Sequence, residues 1–134
     1  MFCVTRRIFA IFKVFFTLKW FNDLTMHTEA IREFVLSLPE VSEHFPFDEV
    51  TLVFKTNNKM FLLLPLDAYE LSINVKCDPE KAIELRERYP ETVLPGYHMN
   101  KKHWNTIMID GKLKWDQIKE MISDSYHLVS SNKK

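Results

Sequence analysis

The sequence predicts an α+β fold: two layers, with a mainly antiparallel sheet and helices packed on one face. Hydrophobic periodicity runs in the order helix, strand hairpin, strand, helix, strand, helix. Helices that do not alternate regularly with strands argue against a doubly wound parallel sheet. The chain has 134 residues, 46% of them apolar, with 11 Phe and 3 Trp. That is enough for one domain with a sizeable core, and no internal repeat or linker divides it.

The elements follow in order. Residues 28–38 read as the first helix: Thr28 can cap it, Glu29 lies in its first turn, and Ile31, Phe34, Val35 and Leu38 share one face. Pro39 stops it. The stretch EVSEHFPFDE is a connector with its own anchors, Phe45 and Phe47. Residues 50–56 and 59–65 pair as a hairpin across Asn57-Asn58, because Asn tolerates positive φ. The second arm, KMFLLLP, is apolar on both faces and is expected to be covered. In YELSINVK, Leu71, Ile73 and Val75 alternate with polar residues, the pattern of a half-buried strand. Asp78-Pro79-Glu80 opens a second helix with a cap, a Pro at the first position and an acid in the first turn. Ala82, Leu85 and Tyr89 form its stripe, and Pro90 ends it. Val93-Leu94 leads into a Pro95-Gly96 turn. HWNTIMI, residues 103–109, is the last strand, and Asp110-Gly111 turns the chain. A final helix spans about 115–129, with Trp115, Ile118, Ile122 and Val129 near one stripe and a weak start at Lys114. Residues 131–134 are expected to fray.

The first 25 residues read differently. Lys13 and Lys19 interrupt MFCVTRRIFAIFKVFFTLKWFNDLT, so no apolar run reaches the roughly 20 residues that span a bilayer. A basic start is present, but no small-residue cleavage site follows. Met26 begins MHTEAIREFVLSLPEV, which reads as a natural start. Residues 1–25 are therefore expected to lie outside a single domain of residues 26–130. Membrane-surface association is expected only if they are a genuine part of the protein.

Lys plus Arg equals Asp plus Glu at 18 each. Four of the basic residues and one of the acidic fall in residues 1–25, so the rest carries 14 and 17, a net of −3. That excludes the strongly basic surface of a typical non-specific DNA binder, although a local patch is compatible with it. The two cysteines, Cys3 and Cys77, form neither a disulfide framework nor a CxxC site. Cys77 reads as a small apolar residue closing a strand, and this usage suits a reducing cytoplasm.

The stretch PGYHMNKKHWNTIMIDG, together with a later SYHLV, resembles the MmcQ/YjbR family over residues 26 to about 130. The family's run of His, Asn, Lys, His and Trp, then Thr and Asp-Gly, falls on His98, Asn100, Lys101, His103, Trp104, Thr106, Asp110 and Gly111. Its Ser-Tyr falls on Ser125 and Tyr126, and HFPF and KMF also match. The resemblance implies a frataxin-like two-layer arrangement and a DNA-binding protein with a double-wing motif. It does not bring iron, since the first helix offers only Glu29, Glu33 and Glu40 around Arg32.

Several chemistries compete for these residues. His98, His103 and His44 lack the spacing of a zinc site, and no metal or other cofactor is expected. His98 or His103 can serve as a base near Ser125 or Asp110, but no nucleophile elbow supports Ser125, and two glycines make no phosphate loop. No enzymatic activity is expected. For DNA, Lys101 and Lys102 can contact phosphate, Asn100 phosphate or a base edge, and Tyr97 can stack on a base. Lys55, Asn57, Asn58 and Lys59 give the hairpin a basic tip as a first wing, with residues 95–111 as the second. Against this, Asn100 and His98 can serve the turn's own backbone, and Trp104 and Thr106 at a strand start suit the core. Gly111, Ser125 and Tyr126 read as structural too. A protein partner, bound at a sheet edge or an apolar groove, is the competing expectation. A continuous positive stripe through Lys55, Lys59, Lys101 and Lys102 would favour DNA.

Overall fold

Strand alternation in this chain produces one sheet with two unlike faces. The computed structural model describes residues 19–96 and 99–130. Among them are three helices, α1 (Lys19–Leu36), α2 (Pro79–Arg88) and α3 (Trp115–Ser130). Six strands accompany them: β1 (Ser42–His44), β2 (Thr51–Thr56), β3 (Lys59–Pro65), β4 (Ser72–Lys76), β5 (Val93–Pro95) and β6 (Trp104–Met108). The strands form one sheet in the order β1-β2-β3-β4-β6-β5, every pair antiparallel. The chain divides into residues 1–34 and residues 35–134, and the second part carries the sheet, α2 and α3.

Within residues 1–34 the described segment is the body of α1. The helix does not start at Thr28, as its capping chemistry suggests, but already runs at Lys19. No Pro or Gly lies between 19 and 36, and a Thr marks a start only where the helix does not continue through it. At the other end the helix stops at Leu36; Pro39 disfavours the helical conformation of Leu38, and the turn that follows contains Glu40 at φ 59°.

One face of the sheet carries Leu52, Phe54, Leu62, Leu64, Ile73 and Val75, all buried. Over it lies α3, which contacts β2, β3 and β4 and buries Ile118, Met121, Ile122, Tyr126 and Val129. Trp115 is a rim residue, 38% exposed. Beside α3 runs α2, joined to it by an ion pair of 2.7 Å between Lys81 and Asp124. Both side chains are well exposed, so the pair is worth at most about 1 kcal/mol. Asp78 caps α2 as its sequence predicts, accepting from the N–H groups of Glu80 and Lys81. The start of α3 uses a device that its sequence does not advertise: Gln117 accepts the Lys114 N–H at 2.9 Å. That is half of a capping box without its Ser or Thr.

The other face is smaller. Val53, Leu63 and Trp104 form a buried cluster on it, with Met60 and Met99 packed alongside. This explains why Phe61 through Leu64 are all buried: β3 is covered from both sides. Beyond the cluster, Thr106 donates to Asn74 at 2.5 Å across the β4–β6 pair.

Two strands were not expected. The connector 40–49 contains β1, and Val93–Pro95 forms β5 rather than a lead into a turn. Each has three residues and lies at an edge of the sheet. A run that short cannot display alternation, and its pairing is fixed by the neighbouring strand.

Candidate functional site

The hairpin tip is built by two consecutive left-handed residues, Asn57 (φ 55°) and Asn58 (φ 63°). That is the geometry of a type I′ turn, which matches the twist of the strands it joins. Asn57 is tied into the fold, since its Nδ2 donates to the Val129 carbonyl at 3.2 Å. Lys55 pairs with Met60 and Thr56 with Lys59, and successive pairs face opposite sides. Lys55 and Lys59 therefore point to different faces of the hairpin. The hairpin tip therefore does not present both lysines on one side.

The 96–104 segment returns the chain from β5 to β6. Gly96 is needed there: a Cβ at this position would lie 2.7 Å from the Cβ of Trp104. The Trp104 carbonyl accepts from the Gly96 N–H at 2.9 Å and from Arg86 at 3.2 Å. Asn100 organises the turn. Its Oδ1 accepts from the Lys102 N–H at 2.9 Å, and its carbonyl accepts from the N–H groups of His103 and Trp104. Arg86 of α2 clamps the segment from beneath. It donates to the Lys101 carbonyl and, at 2.7 Å, to the side-chain oxygen of Asn105, which is buried. Lys101, Lys102 and His103 are left exposed on a turn that the fold holds firmly. Tyr97 and His98 lie outside the described residues.

At this end of the sheet a cleft of about 520 Å³ opens. Lys59, Lys76, Asn100, His103 and Trp104 line it, between the Cys77–Pro79 segment and Leu128–Val129. Lys76 Nζ stands 5.9 Å from the centre of the Trp104 ring, within cation–π range. The indole is only 5% exposed, so it forms a floor and cannot serve as a platform for an incoming base. Burial pushes the Cys77 thiol above its ordinary value of 9.0, the nearby Lys81 opposing and Asp124 and Asp78 reinforcing the shift. A buried, protonated thiol is a poor nucleophile.

Ser125 is fully buried. Its hydroxyl donates to the Phe61 carbonyl at 2.5 Å and accepts from the Lys76 N–H at 2.9 Å. Gly111 turns the chain at φ 90°, and the Tyr126 hydroxyl donates to the Pro39 carbonyl at 2.7 Å. These groups are occupied by the fold. Among the described residues no three His, Cys, Asp or Glu side chains are grouped so as to hold a metal ion, and no helix is long and apolar enough to cross a membrane. What the cleft and the turn above it offer is cationic and amide chemistry, suited to an anion.

The structure thus gathers Lys59 and Asn100 from the expected residues and leaves Lys55 apart. It adds Lys76, His103 and Arg86. Lys76 was visible as the last polar position of its strand; what was missing was that this strand pairs with β6, placing Lys76 opposite Trp104.

Comparison with known proteins gives a consistent result. The family model described as YjbR matches residues 36–128. The chain is 36% identical over 101 residues to the uncharacterised protein YbdF of Escherichia coli O157:H7, covering 75% of this chain and 82% of that one. It is 43% identical over 57 residues to the uncharacterised protein YyaQ of Bacillus subtilis, covering 42% and 47% of the two chains. The crystal structure of Deinococcus radiodurans protein DR2400 is similar at a TM-score of 0.74 and 38% identity, with 78% of each chain covered.

Proposed function

The chain belongs to the YjbR family, and from that premise we propose that it binds DNA, mainly through phosphate contacts, as a non-enzymatic protein of the cytoplasm. The observation that carries the reading is the Asn100–His103 turn. Arg86, Asn100 and the Trp104 carbonyl fix its backbone, so Lys101 and Lys102 are presented between the cleft residues Asn100 and His103 with little backbone ordering left to lose on binding. Phosphate contacts from lysine position a duplex without reading its sequence. The net charge of −3 over residues 26–134 makes the binding modest and confines it to this patch. The commitment of Ser125 and the burial of Cys77 support a binding protein over a catalyst.

Fluorescence anisotropy of labelled duplexes over a salt series tests the reading. Affinity is expected to fall linearly on a log–log plot as counterions are released. Changing Lys101→Ala together with Lys102→Ala is expected to weaken all duplex sequences alike and to lower the slope by about 2, roughly one per phosphate contact. No binding at low salt, or binding indifferent to the double change, refutes it. A second reading has its own observation: Phe45 and Phe47 are 42% and 62% exposed next to the edge strand β1, a setting in which a partner's strand can be added.

A further inference from the structure

The cleft beside the turn differs from the turn itself in shape and charge. At about 520 Å³ it falls within the range of roughly 300–1,000 Å³ typical of small-ligand pockets. A double helix, whose major groove alone is about 12 Å wide, does not enter such a space; a single nucleotide does. Among the described residues neither Lys59 nor Lys76 takes part in an ion pair. One carboxylate, Asp78, shares the lining and keeps its charge. It caps α2, its Oδ2 accepting from the Glu80 and Lys81 N–H groups, and the positive end of that helix offsets part of the charge. With two ammonium groups against this one carboxylate the lining is net positive, and His103 adds an imidazole and Asn100 an amide. Exposed Leu128 and half-buried Pro79 supply an apolar side.

Charge decides which phosphate suits it. A backbone diester carries one negative charge, whereas a phosphomonoester carries about −1.5 to −2 at pH 7 and offers three acceptor oxygens. Lys59 and Lys76 both line the cleft and outnumber its one carboxylate, so the more highly charged monoester gains more there than a diester does. We propose that the cleft binds the phosphomonoester of a nucleotide, either the terminal phosphate of a DNA strand or a free mononucleotide. The phosphate lies between Lys59 and Lys76, and the nucleoside lies along Leu128 and Pro79. This rests on the DNA-binding reading for the strand-end case and assigns the cleft a task separate from that of Lys101 and Lys102.

The test uses the full chain and four pairs of probes: a single-stranded oligonucleotide with a 5′-phosphate or a 5′-hydroxyl, adenosine 5′-monophosphate or adenosine, inorganic phosphate or chloride at equal ionic strength, and a duplex with open phosphorylated ends or closed at both ends by loops. Binding is followed by anisotropy for the oligonucleotides and by calorimetry for the small probes. The phosphorylated strand is expected to bind at least tenfold tighter than its hydroxyl counterpart, and the monophosphate to bind where adenosine does not. Lys59→Ala with Lys76→Ala is expected to erase that preference, with the melting curve confirming a folded variant; Lys101→Ala with Lys102→Ala is expected to leave it. Equal affinity for phosphate and hydroxyl forms overturns the inference. So does inorganic phosphate binding as tightly as the monophosphate. If the closed duplex binds as well as the open one and no monophosphate binds, DNA binding stands and the cleft assignment falls. If the monophosphate binds and no oligonucleotide does, the cleft assignment stands and DNA binding falls.

Discussion

The hydroxyl of Ser125 stands where a ladder hydrogen bond would otherwise run. Leu62 pairs with Val75 and Leu63 with Asn74, so the next pair outward is Phe61 with Lys76. At that point β3 holds one residue more than β2, a bulge that frees the Phe61 carbonyl, and the serine bridges the gap. Ser125→Ala leaves a buried C=O and N–H without that bridge and is expected to cost about 1–3 kcal/mol in denaturant unfolding. Cys77 gives a prediction in pH. Its folded-state thiol value is raised by burial, so the stability it contributes is complete below its ordinary value of 9.0 and is lost as pH rises through the folded value, because the unfolded chain ionises first. Thermal melts are expected to show a decline above about pH 9 that Cys77→Ala diminishes. At this scale the sequence was partly readable. Ser125 reads as structural from the sequence, and in the fold it ties α3 to the β3–β4 pair. Arg86 was not readable. In PEKAIELRER it looks like Arg88, yet Arg88 pairs with Glu84 in solvent while Arg86, one residue past Leu85, turns inward to Asn105. Only the position of β6 distinguishes them.

Among the elements, those with chemistry in their own residues were legible. Asn57-Asn58 identifies the β2–β3 turn and Asp78-Pro79-Glu80 the start of α2, because each requirement is met within three or four neighbouring residues. The edge strands β1 and β5 and the start of α1 were not, since their limits depend on what the chain does elsewhere. For the candidate site the same division holds: the Asn100 turn was apparent, but its meeting with Lys59 and Lys76 is a matter of strand order. The hairpin offers a clean check. Both central residues are left-handed, and type I′ turns favour Asn-Gly. Asn58→Gly is expected to leave stability unchanged or raise it by up to about 1 kcal/mol, whereas Asn58→Val, forced into the same conformation, is expected to lower it by about 1–2 kcal/mol. Thermal melts of the two variants must move apart in that order.

For the sheet as a whole, the order of strands sets an order of events. Strands β1 to β4 follow one another as neighbours, and β5 and β6 form a second local pair. The two groups meet along the β4–β6 seam, closed over roughly 30 residues of intervening chain. Local pairs form early and distant ones late. Loosening the seam with Thr106→Val, which removes the bond to Asn74, is therefore expected to speed unfolding while leaving the folding rate nearly unchanged. Stopped-flow chevrons show which arm moves, and a slowed folding arm contradicts a late-closing seam.

The cleft straddles that seam. Lys59 and Lys76 belong to the first group of strands, Asn100 and His103 to the segment joining the second. Neither half contains a binding site by itself. The site comes into being only when the last pairing closes, and a ligand seated in it acts as a clasp between the two halves. Occupancy thereby lengthens the lifetime of the folded chain, and a molecule that has lost its seam has also lost its ligand.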